Sequence, residues 1–301
     1  MDAEQKGRER ERCERAVQVA APLAPGGELV HEGVLETSLF LTALHARFGA
    51  DFRGFNPLVI KSKLEALVAR RRLSHISALQ GQVLRDQQLG HEVIRLLSTG
   101  HSASPADSHL LMALRFAVVP ILRSSPYPAI WIADCTHPGL VVLIAAMLKE
   151  EGQLERTQLY VTSADETLVR EIPSLRLSSE DVDQLEQLHS ANGGHDSPRA
   201  WLRKESGSYT LGDAMRASLS CHVHDLASDA SFREFEAVVC ARPLREYGHE
   251  LQQRALGIFS DSLCGFGILQ IDPSSAMRTM AAEFCFAPVL PGQGLYRRLP
   301  R

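Results

Sequence analysis

Residues 129–133 read Ala-Ile-Trp-Ile-Ala, five apolar residues with no polar break, and the turn "DCTHPG" leads from them into "LVVLIAAMLKE". An apolar run this short, bounded by turn residues, suits a strand buried on both faces, and the segment after it has helical length. The same alternation returns in "TQLYVTSAD", "EFEAVVCAR", "HELQQRALGIFSDSLC" and "GFGILQID". Strand followed by helix, repeated, requires a mostly parallel sheet covered by helices. The closing "APVLPGQGLYRRL" predicts a glycine turn and a final antiparallel hairpin.

Upstream the period changes. Leu35, Leu39, Phe40 and Leu44, then Leu58, Ile60, Leu64 and Leu67, then Leu79, Val83 and Leu84, then Val93, Leu96 and Leu97 recur at spacings of three and four. These are amphipathic helices, joined by "FGADFRGFNP" and "RLSHIS". The expected organisation is a flexible tail over 1–30, a small helical domain over 31–107 and an α/β domain over 108–301. "TGHSASPADS" is the hinge, and residues 173–215 form a polar excursion.

The chain has 301 residues, 45% of them hydrophobic, enough for a sizeable core in two domains. A net charge of −4 gives no global attraction to nucleic acid or anionic lipid. The charged N-terminus has no apolar signal core, and no run of about 18 apolar residues occurs, so a cytoplasmic protein without membrane insertion is expected. The six scattered cysteines (Cys13, Cys135, Cys221, Cys240, Cys264, Cys285) form no CxxC pair and read as buried, reduced thiols. Cys221, His222, His224 and Asp225 lie together in "SCHVHDL", but without a second cluster at ligand spacing no metal site is assigned. There is neither a G-x-S-x-G elbow nor a P-loop.

Four segments, in order, resemble the CheR-type chemoreceptor glutamate O-methyltransferases over roughly Leu35 to Arg298. They are "RFGADFRGFNPLVIKSKLEALVARRRL", "VVPILRSSPYPAIWIADCTHPG", "HDLASDASFREFEAVVCARPLREY" and "IFSDSLCGFGILQID", the last followed by the terminal Tyr-Arg-Arg. The resemblance implies a helical N-terminal domain and a doubly wound, Rossmann-like class I S-adenosylmethionine (SAM) methyltransferase domain ending in a hairpin. It also implies SAM as cofactor and a receptor glutamate as substrate.

The departures from that family are concentrated in its site. Its SAM loop, approximately A-G-C-S-T-G-E-E, is here Ala133, Asp134, Cys135, Thr136, His137, Pro138, Gly139 and Leu140. Asp134 replaces a glycine with bulk and negative charge, Pro138 removes a backbone N–H, and the acidic pair is lost. Ser163 stands where an acid would hold the ribose, with Asp165 two residues on; Asp225 and Leu226 lie at the adenine position. The family's C-R-N-V-x-I-Y-F becomes Cys240, Ala241, Arg242, Pro243, Leu244, Arg245, Glu246 and Tyr247, which puts Glu246 at the catalytic tyrosine's place and Arg242 at the asparagine's. Its N-x-T-x-F-F-R-[DE] becomes Gly100, Ser102 and Ala106, with only Asp107 kept.

The expectation is a vestigial cofactor loop that binds no SAM, with Asp134 or Thr136 capping the next helix. Arg242 and Arg245, at the carboxyl end of a strand, would pair with Asp134, Asp165 or Glu246 and fill the cleft. The basic stretch Lys61, Lys63, Arg70, Arg71 and Arg72 is the expected contact for a receptor or another signalling protein. Such a protein would be a non-catalytic component of a chemosensory pathway, and pairing with an active paralogue is a further way it could act. The alternative is an active SAM-dependent methyltransferase in which Asp165 holds the ribose and Tyr247 or Glu246 lies near the methyl group.

Overall fold

The computed structural model describes residues 32–99, 110–273, 275–290 and 292–300. The tail over 1–30, Cys13 and the inter-domain residues Gly100, Ser102, Ala106 and Asp107 lie outside the described residues.

The helical stretch consists of α1 (Glu32–Phe48), α2 (Pro57–Arg70), α3 (Ile76–Val83) and α4 (Gln87–Ser98). Asn56 begins α2 by accepting the Leu58 N–H, and Asp86 begins α4 by accepting those of Gln88 and Leu89. Their apolar stripes meet in one cluster that includes Phe40, Ile60, Leu64, Leu79 and Val93.

After α5 (Leu110–Ser124) the sheet begins with β1 (Ala129–Ala133), α6 (Gly139–Glu150), β2 (Gln158–Ser163) and α7 (Glu166–Glu171). The polar excursion folds as β3 (Arg176–Leu177), α8 (Ser179–Ala191), β4 (Leu202–Glu205) and β5 (Ser208–Leu211). Its strands form a separate antiparallel sheet ordered β3-β5-β4. Next come α9 (Asp213–Ser218), β6 (Leu219–Val223), β7 (Phe235–Cys240) and α10 (His249–Ser262). The chain closes with β8 (Leu263–Gln270), α11 (Ser275–Glu283), β9 (Phe286–Leu290) and β10 (Leu295–Arg298). Strand β8 takes in Leu263 and Cys264, which the helical reading of "SDSLC" had assigned to the helix before it.

The main sheet runs β6-β2-β1-β7-β8-β10-β9. The first five strands are mutually parallel and the last two form the antiparallel hairpin, so the doubly wound fold with a terminal hairpin is present. Apolar clusters cover both faces, which is why β1 carries no polar residue: all five of its side chains are buried. Trp131 places its one polar atom against β2, donating from Nε1 to Thr162 Oγ1 at 2.9 Å. From β1 the chain winds outward to β2 and β6 on one side, then returns to β7 and β8 on the other. The winding therefore reverses between β1 and β7, the place where open α/β sheets bind ligands at their carboxyl edge. No helix among the described residues is long and apolar enough to cross a membrane.

Candidate functional site

Because β1, β2, β6 and β7 are parallel, Asp134, Ser163, Asp225 and Arg242 all emerge at one edge of the sheet. Backbone pairing continues past the strand ends, with Cys135 N–H donating to Thr162 O at 2.7 Å and Ala241 N–H to Ala133 O at 2.8 Å.

Asp134 has φ of +45°, the left-handed conformation that a glycine would supply without strain. The turn thus keeps a glycine-like backbone while carrying a carboxylate. Arg242 Nε donates to Asp134 Oδ2 at 2.6 Å, and the Tyr247 hydroxyl donates to the same oxygen. Arg242 also reaches Glu246 Oε2 from Nη1 at 3.2 Å and donates from Nη2 to the Ser98 carbonyl at the end of α4. Its guanidinium carbon lies 5.2 Å from the centre of the Phe55 ring. Burial opposes the arginine's charge, but Asp134, Tyr247 and Glu246 outweigh it and hold its pKa above the usual value. Burial, reinforced by Asp134, pushes the Tyr247 pKa well up, so the phenol stays a donor.

Lys63 completes the group and corrects the sequence reading. It projects inward rather than toward a partner: Nζ donates to Thr99 O at 2.8 Å and lies 3.6 Å from Glu246 Oε2. Burial lowers its pKa against the opposing pull of Glu246. The signal was present in the sequence, because Ile60, Lys63, Leu64 and Leu67 share one helical stripe. The rest of the basic stretch is less positive than its composition suggests. Arg70 and Arg71 each reach Glu92 at 2.6 Å, Lys61 lies 3.6 Å from Glu65, and Arg72 is exposed.

Tyr247 reaches this group because the turn departs from an extended register. Both side chains are buried, Glu246 accepting from Arg242 and Tyr247 donating to Asp134. A short 3-10 turn, Leu244–Glu246, lets consecutive residues do this. Phe55 and Tyr247 also pair as an isolated antiparallel bridge, with their rings edge to face at 5.3 Å. Arg245 turns to Asp272 instead, at 3.5 Å.

Neither Asp134 nor Thr136 caps α6. Pro138 occupies the N-cap without a side-chain bond, and His137 Nδ1 accepts the Gly139 N–H at 3.1 Å. Asp165 caps α7, accepting from Thr167 at 2.9 Å and Leu168 at 3.2 Å, while the buried Ser163 hydroxyl accepts the Asp165 N–H. Asp225 accepts the Ala227 N–H at 2.8 Å, and the Leu226 carbonyl accepts from Arg254 Nε. His222 stacks on Tyr160 and is exposed, while His224 is buried against Trp131 and Phe232 and lies 3.0 Å from Ala230 O. Cys135 and Cys240 are buried, Cys221 and Cys264 partly so, but Cys285 is exposed and departs from the buried-thiol expectation.

These residues do not fit the groups by which the resembled family holds SAM. The loop presents a carboxylate where the ligand's own carboxylate would lie, lacks the Pro138 N–H, and keeps Asp165 engaged in its own helix. A cavity of about 270 Å³ beside the loop is lined by His137, Pro138, Leu140, Leu177 and Leu185, and Asp134, Ser163, Asp165 and Asp225 are not part of its wall.

No family model matches the chain. A Pseudomonas putida protein named Cher3, provisionally described as a methyltransferase, is 28% identical over 264 residues, covering 88% of this chain and 97% of that protein. The Bradyrhizobium japonicum N-methyltransferase NodS, in complex with S-adenosyl-L-homocysteine, superposes with a TM-score of 0.34 at 11% identity over 67% of this chain and 94% of its own. An O-methyltransferase family 2 protein from Planctomyces limnophilus, in complex with apigenin, gives 0.25 at 13% identity over 89% of this chain and 70% of its own. Superpositions this loose carry no argument; what stands is a near-full-length similarity to Cher3.

Proposed function

We propose that this protein is a degenerate member of its family: it does not use SAM, and it serves as a binding or regulatory component of a bacterial chemosensory or signalling pathway. The observation that carries the reading is the ion-paired plug between β1 and β7. Asp134, Arg242, Glu246 and Lys63 occupy the switch point of the sheet, and they join it to the end of α4 through the Ser98 and Thr99 carbonyls. A cofactor entering there would have to break buried ion pairs, and losing one partner of such a pair typically costs about 3–5 kcal/mol. Binding to a receptor or other signalling protein through the helical layer, with Lys61, Arg70, Arg71 and Arg72 as its charged surface, is the positive half of the proposal. Pairing with an active paralogue would be a particular form of it.

A second reading, a working SAM-dependent protein-glutamate methyltransferase, is favoured by the description that Cher3 carries. It requires Asp165 to leave its cap and Arg242 to leave Asp134. The two readings separate when the protein is incubated with methyl-labelled SAM and a chemoreceptor cytoplasmic domain. The proposal expects no label above a protein-free control, and base-labile label on receptor glutamates would overturn it.

A further inference from the structure

A second cavity, of about 390 Å³, opens at the opposite edge of the main sheet, where β1 and β2 begin. Tyr127, Glu155, Arg156, Gln158, Tyr160 and Arg233 line it, together with wall from Pro128, Leu154, Thr157 and α9. Its volume falls within the range typical of small-molecule sites.

The charged groups of this cavity are two arginines and one carboxylate, Glu155. Arg233 lies over the Tyr160 ring, 4.8 Å from guanidinium carbon to ring centre, and donates to the Tyr160 hydroxyl. Stacking holds the guanidinium in place and leaves most of its N–H groups uncommitted. Arg156 donates from Nη2 to the Ser125 carbonyl. Neither arginine makes an ion pair among the described residues. The Glu155 carboxylate in the wall is neutralised by its pair with Lys149, and the neighbouring Glu236 accepts from Ser125 Oγ and Ala129 N–H, each at 2.7 Å. Two guanidiniums without ion pairs in one recess match a phosphate, which accepts several hydrogen bonds at once. The space exceeds what a bare phosphate fills, and the Tyr127 ring stands 82% exposed at the rim, a platform on which a planar ring can stack.

We propose that this cavity binds a small ligand that joins a phosphate to an aromatic ring, the chemistry of a nucleoside monophosphate. Arg156 and Arg233 clamp the phosphate, and Tyr127 carries the ring. The site stands apart from the SAM edge and does not depend on whether that edge is plugged.

Calorimetric titration of the full chain with AMP, adenosine and inorganic phosphate tests this. AMP is expected to bind, with adenosine and phosphate each at least tenfold weaker. Arg156→Ala/Arg233→Ala should weaken AMP at least tenfold, and Tyr127→Ala should weaken AMP while leaving phosphate unchanged. Both arginines are exposed, so an unchanged melting temperature is expected and separates lost binding from lost fold. No AMP binding by the wild type overturns the proposal. So does AMP binding that survives in the double arginine variant, because that places the nucleotide elsewhere, including the SAM edge. Equal affinity for adenosine and AMP also overturns it.

Discussion

Arg242 Nε lies 2.6 Å from Asp134 Oδ2, joining the ends of β7 and β1 across the point where the sheet reverses its winding. Both side chains are largely withdrawn from water, at 4% and 13% exposure, so the pair is set in a low-dielectric position where an unpartnered charge is expensive.

Asp134→Gly should therefore destabilise the protein even though it relieves a left-handed non-glycine residue. Arg242 keeps Glu246 and the Ser98 carbonyl but loses one buried ion-pair partner, a loss of the kind that costs about 3–5 kcal/mol, and relief of the backbone returns roughly 1–2. A net loss of about 1–4 kcal/mol in urea unfolding is expected. Adding Arg242→Met to that variant should cost at least ~0.5 kcal/mol less than it does in the wild type, because contacting residues couple. Additive losses would mean that the two side chains act independently.

Glu150, at the end of α6, makes stability depend on acid. Burial would raise its pKa, but the Asp196 N–H, Arg115, His189 and the His195 N–H bring it down from 4.5 to about 2. The folded pKa is depressed, so the unfolded chain takes up the proton first. Its contribution is present above about 4.5 and fades as pH falls toward about 2. Glu150→Gln should be less stable at neutral pH and should flatten the stability curve over that window. An unchanged slope would remove Glu150 as the cause.

Thr162→Val should cost about 1–3 kcal/mol, because it keeps the shape of β2 but leaves Trp131 Nε1 buried without its acceptor. Thr162→Ser, which keeps the hydroxyl, should recover most of that loss. Equal melting temperatures for the two variants would show that the hydrogen bond contributes nothing.

Thiol labelling should divide the cysteines by burial. Burial pushes the Cys135 thiol up to about 12 and that of Cys240 well above its usual value. Under native conditions a disulfide reagent should modify Cys285 within minutes and leave Cys135 and Cys240 intact until the protein unfolds. Peptide mapping of the labelled chain checks this, and early labelling of Cys240 would contradict the burial described.

The sheet was legible because burial on both faces leaves a plain record in sequence: five apolar residues in β1, another run in β7, and turn residues at their ends. The hairpin and the four N-terminal helices were legible for similar reasons of turn chemistry and period. The excursion was read only as polar, since β3 has two residues and β4 alternates weakly, so its small sheet left little pattern. At the candidate site the residue types were legible but their pairing was only partly so. Arg242, Asp134 and Glu246 were expected to meet. Phe55, Lys63 and the carbonyls of Ser98 and Thr99 reach the same place from about 140–190 residues away in sequence, and no local pattern reports such a meeting. Tyr247 joins Glu246 there because a 3-10 turn replaces the extended register that places alternate residues on alternate faces.

The central claim is that the plug between β1 and β7 has replaced a cofactor. Titration calorimetry of the full chain with S-adenosylhomocysteine, the product form that an active family member holds, tests it most directly. The account predicts no detectable binding at millimolar ligand. Micromolar binding that is weakened by a substitution at Ser163 or Asp165 would contradict it, and would mean that Arg242 releases Asp134 to admit the ligand.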